Sequence, residues 1–261
     1  MSGDLLSGKA TLTFIYHFYS MKRHIPNLIT ILNLLCGCAA LLSLWQGWYL
    51  ATAAWLAGAA LADFADGLAA RALKVTSAEG KELDSLADLI SFGLVPGSIL
   101  YTLLVLSEFP DYSTALQGGI HWFAFPAFLL TGASALRLAR FNLDERQTEG
   151  FIGLNTPACT LFVLGLLMIH THDFAPFSDW IAQKIVLYAI VLLFSYLLLA
   201  EIPMFSFKFK QLRWEGNALR FIFAGSALVL LLIWREVALA PIVLIYILIN
   251  VVRHFNPKSS E

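Results

Sequence analysis

Residues 63–88 read DFADGLAARALKVTSAEGKELDSLAD. Four aspartates, Asp63, Asp66, Asp84 and Asp88, stand here in two pairs inside a chain that is otherwise strongly apolar. The first pair lies toward the end of one apolar run and the second opens the next. A short connection carrying Lys74, Ser77, Glu79, Gly80 and Lys81 separates them. On a helix of 3.6 residues per turn, Asp63, Asp66, Gly67 and Ala70 fall within about a third of the circumference. Asp84, Asp88 and Ser91 likewise share one face. Two helices joined by a short turn bring all four carboxylates to one depth, and Gly67 and Ala70 clear space in front of the acids. The pattern describes a pocket between two acidic helix ends.

The surrounding composition sets the medium. Of 261 residues, 59% are hydrophobic and only 13% charged, whereas a soluble domain carries about a quarter charged residues. An all-α, polytopic membrane bundle is therefore expected. Apolar runs long enough to cross a bilayer place spans at roughly 27–46, 49–73, 83–106, 121–141, 154–172, 181–200, 217–234 and 237–253. Pro110, Gly150, Gly153, Pro176 and Pro203 punctuate the connections. These runs do not alternate as barrel strands would, and helices satisfy their own backbone in lipid. Cys36, Cys38 and Cys159 all lie in apolar runs and are expected to be reduced, buried thiols rather than a disulfide or zinc set.

Lysine and arginine give the orientation. With a cytoplasmic N-terminus and eight spans, Lys9, Lys22, Arg23, Arg71, Lys74, Lys81, Arg137, Arg140, Arg146, Lys208, Lys210, Arg213, Arg220, Arg253 and Lys258 fall at cytoplasmic ends, and only Lys184 and Arg235 fall outside. Both termini are expected in the cytoplasm, with the acidic pocket at the cytoplasmic face of the cell (inner) membrane. Met21, followed by Lys22 and Arg23, reads as a natural beginning, so residues 1–20 are expected to be a dispensable extension and not a cleavable signal peptide. Lys208, Lys210 and Arg213 are expected to meet anionic headgroups. Trp45, Trp48, Trp122, Trp180, Trp214 and Trp234 read as an interfacial belt, His170 and His172 as interfacial, and Asn33 as a helix–helix hydrogen bond.

Four carboxylates in a partly dry site need compensating positive charge. All-oxygen ligation favours Mg²⁺ or Mn²⁺, and two such ions would clamp a diphosphate and steady the attacking and leaving oxygens. Arg71 adds a guanidinium fork for phosphate oxygens. A divalent-cation transporter is the alternative from another class. It would need polar residues continuing to the outer face, and the other spans offer few.

The arrangement Asp63-x2-Asp66-Gly67-x2-Ala70-Arg71-x8-Gly80-x3-Asp84-x3-Asp88 resembles the complete signature of the CDP-alcohol phosphotransferases. That resemblance implies a six-helix core at 21–215, followed by two C-terminal helices and a tail at 216–261. It implies that Asp63, Asp66, Asp84 and Asp88 hold two divalent metal ions, and that Asp88 is also the general base. It further implies that Asn27 to Thr30 of the first span, Gly67, Arg71, Ser77 and Gly80 lie against the CDP-lipid. Within the family, "IPNLITILNLLCGCAALL", "GKELDSLADLISFGLVP", "ALRLARFN", "FIGLNTPA" and "IPMFSFK" are most similar to the membrane-embedded phosphatidylserine synthases, with Asn155 standing where proline is expected. The expected reaction transfers a phosphatidyl group from CDP-diacylglycerol to L-serine by direct displacement; the same chemistry on glycerol-3-phosphate or an inositol phosphate is the nearest alternative. Arg137, Arg140, Asn142 and Ser91 are candidates for binding serine. Substrates and membrane lipids are the expected partners, with a homodimer also considered and no nucleic acid.

Overall fold

A computed structural model describes residues 3–75, 77–109, 119–143, 151–205 and 217–255; the side chains of residues 3–23 and of Phe151 lie outside that description. The expectations for residues 1–20, and for Arg146, Lys208, Lys210, Arg213, Trp214 and Lys258, therefore fall outside the described residues or side chains.

The described chain is helical throughout, apart from one two-residue antiparallel pairing. Helix α1 (Gly3–Trp45) and α2 (Tyr49–Leu73) form a hairpin. α3 (Ala78–Asp88) passes through a wider π turn (Leu89–Leu94) into α4 (Val95–Leu106). A 3₁₀ segment (Trp122–Phe128) leads into α5 (Leu129–Leu143). Then come β1 (Phe151–Ile152), α6 (Thr156–Thr171), the short α7 (Phe177–Ile181), α8 (Lys184–Leu199) and β2 (Pro203–Met204). α9 (Ala218–Trp234) and α10 (Leu239–Phe255) close the fold.

Among the described residues, five helical stretches are long and apolar enough to cross a membrane: His24–Trp45, Tyr49–Leu73, Ala78–Leu106, Trp122–Leu143 and Ala218–Phe255. α6 and α8 are apolar but have 16 residues each, about 24 Å at 1.5 Å per residue, against a hydrocarbon layer of about 30 Å. The last stretch is folded on itself. Arg235 has φ +53° and breaks the helix, and Phe223 of α9 meets Tyr246 of α10 with ring centroids 5.9 Å apart. Its two halves therefore correspond to the last two expected runs.

Local chemistry explains the boundaries. α2 ends where Lys74 adopts a left-handed conformation (φ 54°), and the Val75 N–H donates to Ala70 O at 3.0 Å. Ser77 then caps α3, its Oγ accepting from the Gly80 N–H at 2.9 Å. Asn155 caps α6, with Oδ1 accepting from the Ala158 N–H at 2.7 Å. The departure from proline at that position thus supplies a helix cap. The main core lies among α4, α5, α6, α8 and α10, around Ile99, Leu103, Leu130, Leu167, Leu187 and Phe194. Cys36 and Cys159 are buried as expected, but Cys38 is exposed; it lies on the outward side of α1, where an apolar thiol meets lipid at no cost.

The two ends of the bundle differ. At the end remote from the aspartates, Lys184 pairs with Glu108 at 2.6 Å and His172 with Glu236 at 2.9 Å. The exposed Trp45, Trp48, Trp122, Trp180 and Trp234 gather at the same end.

Candidate functional site

α2 and α3 run antiparallel about a tight connection. Asp66 lies seven residues before the end of α2 and Asp84 six after the start of α3, which is about 10 Å from the turn in each case. The consequence is convergence: Asp63, Asp66 and Asp84 each offer a carboxylate oxygen within 4.8 Å of the others. Asp88 stands one helical turn beyond Asp84, outside that tight group, and its Oδ1 accepts from Asn33 Nδ2 at 3.2 Å.

α1 supplies the third wall. Asn27, Thr30 and Asn33 recur every three residues and form a polar stripe facing the acids. Thr30 Oγ1 lies 2.6 Å from Asp66 Oδ2 and 3.0 Å from Pro26 O. Thr30 and Asp66 are both buried, at 3% and 6% exposure, so the short bond fixes one carboxylate rotamer. A cavity of about 500 Å³ opens between the helices. Asn27, Thr30, Asp66, Gly67, Ser77, Gly80 and Asp84 are among its lining residues.

Two glycines set its shape. A Cβ at Gly67 would sit 3.3 Å from Arg71 Nη1, so the guanidinium folds back over that bare stretch of α2. A Cβ at Gly80 would lie 3.0 Å from Ser77 Oγ and 3.1 Å from Asn27 Oδ1, so Gly80 permits α1 and α3 to close around the cavity mouth.

The residues fit divalent cations. Asp84 Oδ1 is buried with no hydrogen-bond partner, and among the described residues no Lys or Arg forms an ion pair with any of the four acids. Three hard oxygen donors converge without compensation, which is the donor chemistry Mg²⁺ and Mn²⁺ prefer.

The expected serine-binding residues are placed differently. Arg137 is buried and donates from Nη1 to Ile152 O at 2.9 Å and Leu198 O at 3.2 Å. It ties α5 to the β1 region and the end of α8. Ser91 Oγ donates to Asn33 O at 3.1 Å. Asn142 Nδ2 donates to Ser85 Oγ at 2.8 Å, and its carbonyl accepts from Lys81 Nζ at 2.8 Å, docking α5 onto α3. Arg140 is exposed near the same end of α5. None of the four lines the cavity around Asp66 and Asp84.

Among the described residues beyond Asp88, no further acidic side chain is buried in the bundle. Thr131 Oγ1 donates to Gly93 O at 2.9 Å, and Thr160 Oγ1 donates to Phe92 O at 3.1 Å, so these hydroxyls satisfy the carbonyls of the π turn. The sequence reading placed Asn33 in an interhelical hydrogen bond. That bond is present, but its partner is Asp88, which brings Asn33 into the site. The three-residue spacing from Asn27 and Thr30 was the available signal.

The fold and site define a polytopic helical membrane protein with an acidic pocket between its first three helices. Residues 23–199 match the model of the CDP-alcohol phosphatidyltransferase family, and the chain belongs to that family. Curated relatives named CDP-diacylglycerol–serine O-phosphatidyltransferase include one from Bacillus subtilis, 33% identical over 51% of this chain and 70% of its own length. The Helicobacter pylori relative of that name is 31% identical over 87% of this chain and 90% of its own length. The Mycobacterium leprae relative is 32% identical over 69% of this chain, and the match spans 57% of its length.

Proposed function

We propose that the chain transfers the phosphatidyl group of CDP-diacylglycerol to the hydroxyl of L-serine, releasing CMP and leaving phosphatidylserine in the bilayer. The observation that carries this reading is the convergence of Asp63, Asp66 and Asp84 within 4.8 Å, with Asp88 one turn away, beside a cavity walled by Asn27, Thr30, Gly67 and Gly80. The name shared by the relatives supports serine as the acceptor.

In this reading Asp63, Asp66 and Asp84, with Asp88 at the edge of the group, hold two divalent ions, Mg²⁺ or Mn²⁺. Bound there, such ions would supply positive charge against the diphosphate and the departing CMP. Asn27, Thr30, Ser77 and Gly80 receive the nucleotide, and Arg71, folded over Gly67, meets its phosphate oxygens. Asp88 takes the proton from the serine hydroxyl as that oxygen bonds to the lipid-side phosphorus and the bond to the CMP oxygen breaks. Arg140 receives the serine carboxylate, since Arg137 already donates to backbone carbonyls. Every one of these groups comes from a single chain, so the chemistry does not require a homodimer. The lysine and arginine distribution supports a cytoplasmic site and cytoplasmic termini.

Product identification tests the reading. Purified protein with CDP-diacylglycerol and Mn²⁺ or Mg²⁺ is expected to form phosphatidylserine and CMP with serine, and little product with glycerol-3-phosphate or an inositol phosphate. Serine labelled at its hydroxyl oxygen should carry the label into the lipid. Unlabelled product would rule out attack by that oxygen.

A further inference from the structure

Asn33 has no solvent exposure, yet its amide reaches across from α1 to the carboxylate of Asp88, 55 positions along the chain. The sense of the amide is dictated by its partner: turned over, Oδ1 would face a carboxylate oxygen. In the sense adopted, Oδ1 is buried without any hydrogen-bond partner. Leaving an acceptor unsatisfied in a closed interior is unfavourable, so a side chain retained there needs a use for its donor end.

Holding α1 against the helix after Asp88 is not that use. Ser91 Oγ already donates to the Asn33 carbonyl at 3.1 Å. The two helices also touch so closely at Gly37 that a Cβ there would lie 2.5 Å from Ser91 Oγ. The same contacts immobilise the Asn33 backbone, and burial of the side chain limits its rotamers. Asp88 itself precedes the π turn, whose Phe92 and Gly93 carbonyls are held by Thr160 and Thr131. One carboxylate oxygen is thus clamped by a fixed amide, which leaves Oδ2 outside that hydrogen bond.

We propose that Asn33 is a positioning residue for the transfer reaction: its amide N–H holds Asp88 Oδ1 so that Oδ2 faces the hydroxyl of the incoming alcohol. The inference rests on the reading of Asp88 as the group that accepts the alcohol proton.

The test uses the full purified chain in lipid with CDP-diacylglycerol, serine and Mn²⁺, and follows CMP release. Asn33→Ala is expected to lower kcat by about 10- to 100-fold, as misplacement of a reacting group does, with KM for both substrates changed less than about threefold. Asn33→Leu fills the same volume without the donor and is expected to show the same loss; it answers the question if the alanine variant does not fold. In an Asp88→Glu background, where the carboxylate has moved off the amide, Asn33→Ala should cost less than about threefold. Equal losses in both backgrounds would mark a structural role and overturn the proposal, as would wild-type kcat in both Asn33 variants or failure of both to fold. Asp88→Asn separates the two readings. If it is inactive while Asn33→Ala turns over normally, only the positioning role falls; if it turns over normally, Asp88 is not the base.

Discussion

Thr30→Val probes how firmly α1 prepares the acidic site. The substitution preserves shape and the β-branch while removing a hydroxyl 2.6 Å from Asp66 Oδ2. That length falls in the range of charge-assisted O–H···O⁻ bonds, and a hydrogen bond to a charged group contributes about 1.5–3 kcal/mol. At 3% exposure, Thr30 leaves little room for water to replace the hydroxyl. One decade in an equilibrium constant corresponds to about 1.4 kcal/mol, so Asp66 should lose roughly 10- to 100-fold of its pre-organisation, the range typical of groups that orient metal ligands. The assay is CMP release from CDP-diacylglycerol and serine as a function of Mn²⁺ concentration. Half-saturation should rise by that factor, kcat at saturating Mn²⁺ should recover to within severalfold of the parent, and Thr30→Ser should stay near it. A folded Thr30→Val protein with an unchanged Mn²⁺ dependence would refute the claim that this bond prepares Asp66 for a cation.

Gly67→Ala places a Cβ 3.3 Å from Arg71 Nη1 and should displace the guanidinium, raising KM for CDP-diacylglycerol severalfold with a smaller effect on KM for serine. Arg137→Met removes the donor to the part-buried Ile152 O and the buried Leu198 O; loss of that donor should destabilise the fold by roughly 1–4 kcal/mol, seen as a lowered Tm in detergent. Chelation of divalent ions should abolish CMP release, and Mn²⁺ or Mg²⁺ should restore it. Activity persisting after exhaustive chelation would exclude the metal role given to Asp63, Asp66 and Asp84.

Much of this molecule is encoded locally. Helix periodicity and an unbroken apolar run are properties of neighbouring residues, so the all-helical, apolar character was legible, as was the shared depth of Asp66 and Asp84 on either side of a short turn. The break at Arg235 fell between two apolar runs, and the placement of Lys184 and Arg235 away from the aspartates followed from counting spans. What the sequence could not supply is rotation, the angle at which one helix presents its face to another tens of residues away. Asn33 meets Asp88 because α1 lies against the π turn that follows Asp88, at a close approach that Gly37 permits beside Ser91, and Thr30 meets Asp66 across the α1–α2 hairpin. The π turn after Asp88 resets the helical register by packing that no local pattern announces. Arg137 read as a charge near a membrane boundary, and only the arrival of the Ile152 and Leu198 carbonyls beside it turned it into an internal brace. Cys38 looked as buried as its neighbours, because an apolar run in a membrane protein does not distinguish lipid from protein. Local periodicity decided which residues are helical and at what depth they lie; tertiary packing decided which of them touch, since contact depends on relative rotation that a single helix does not encode.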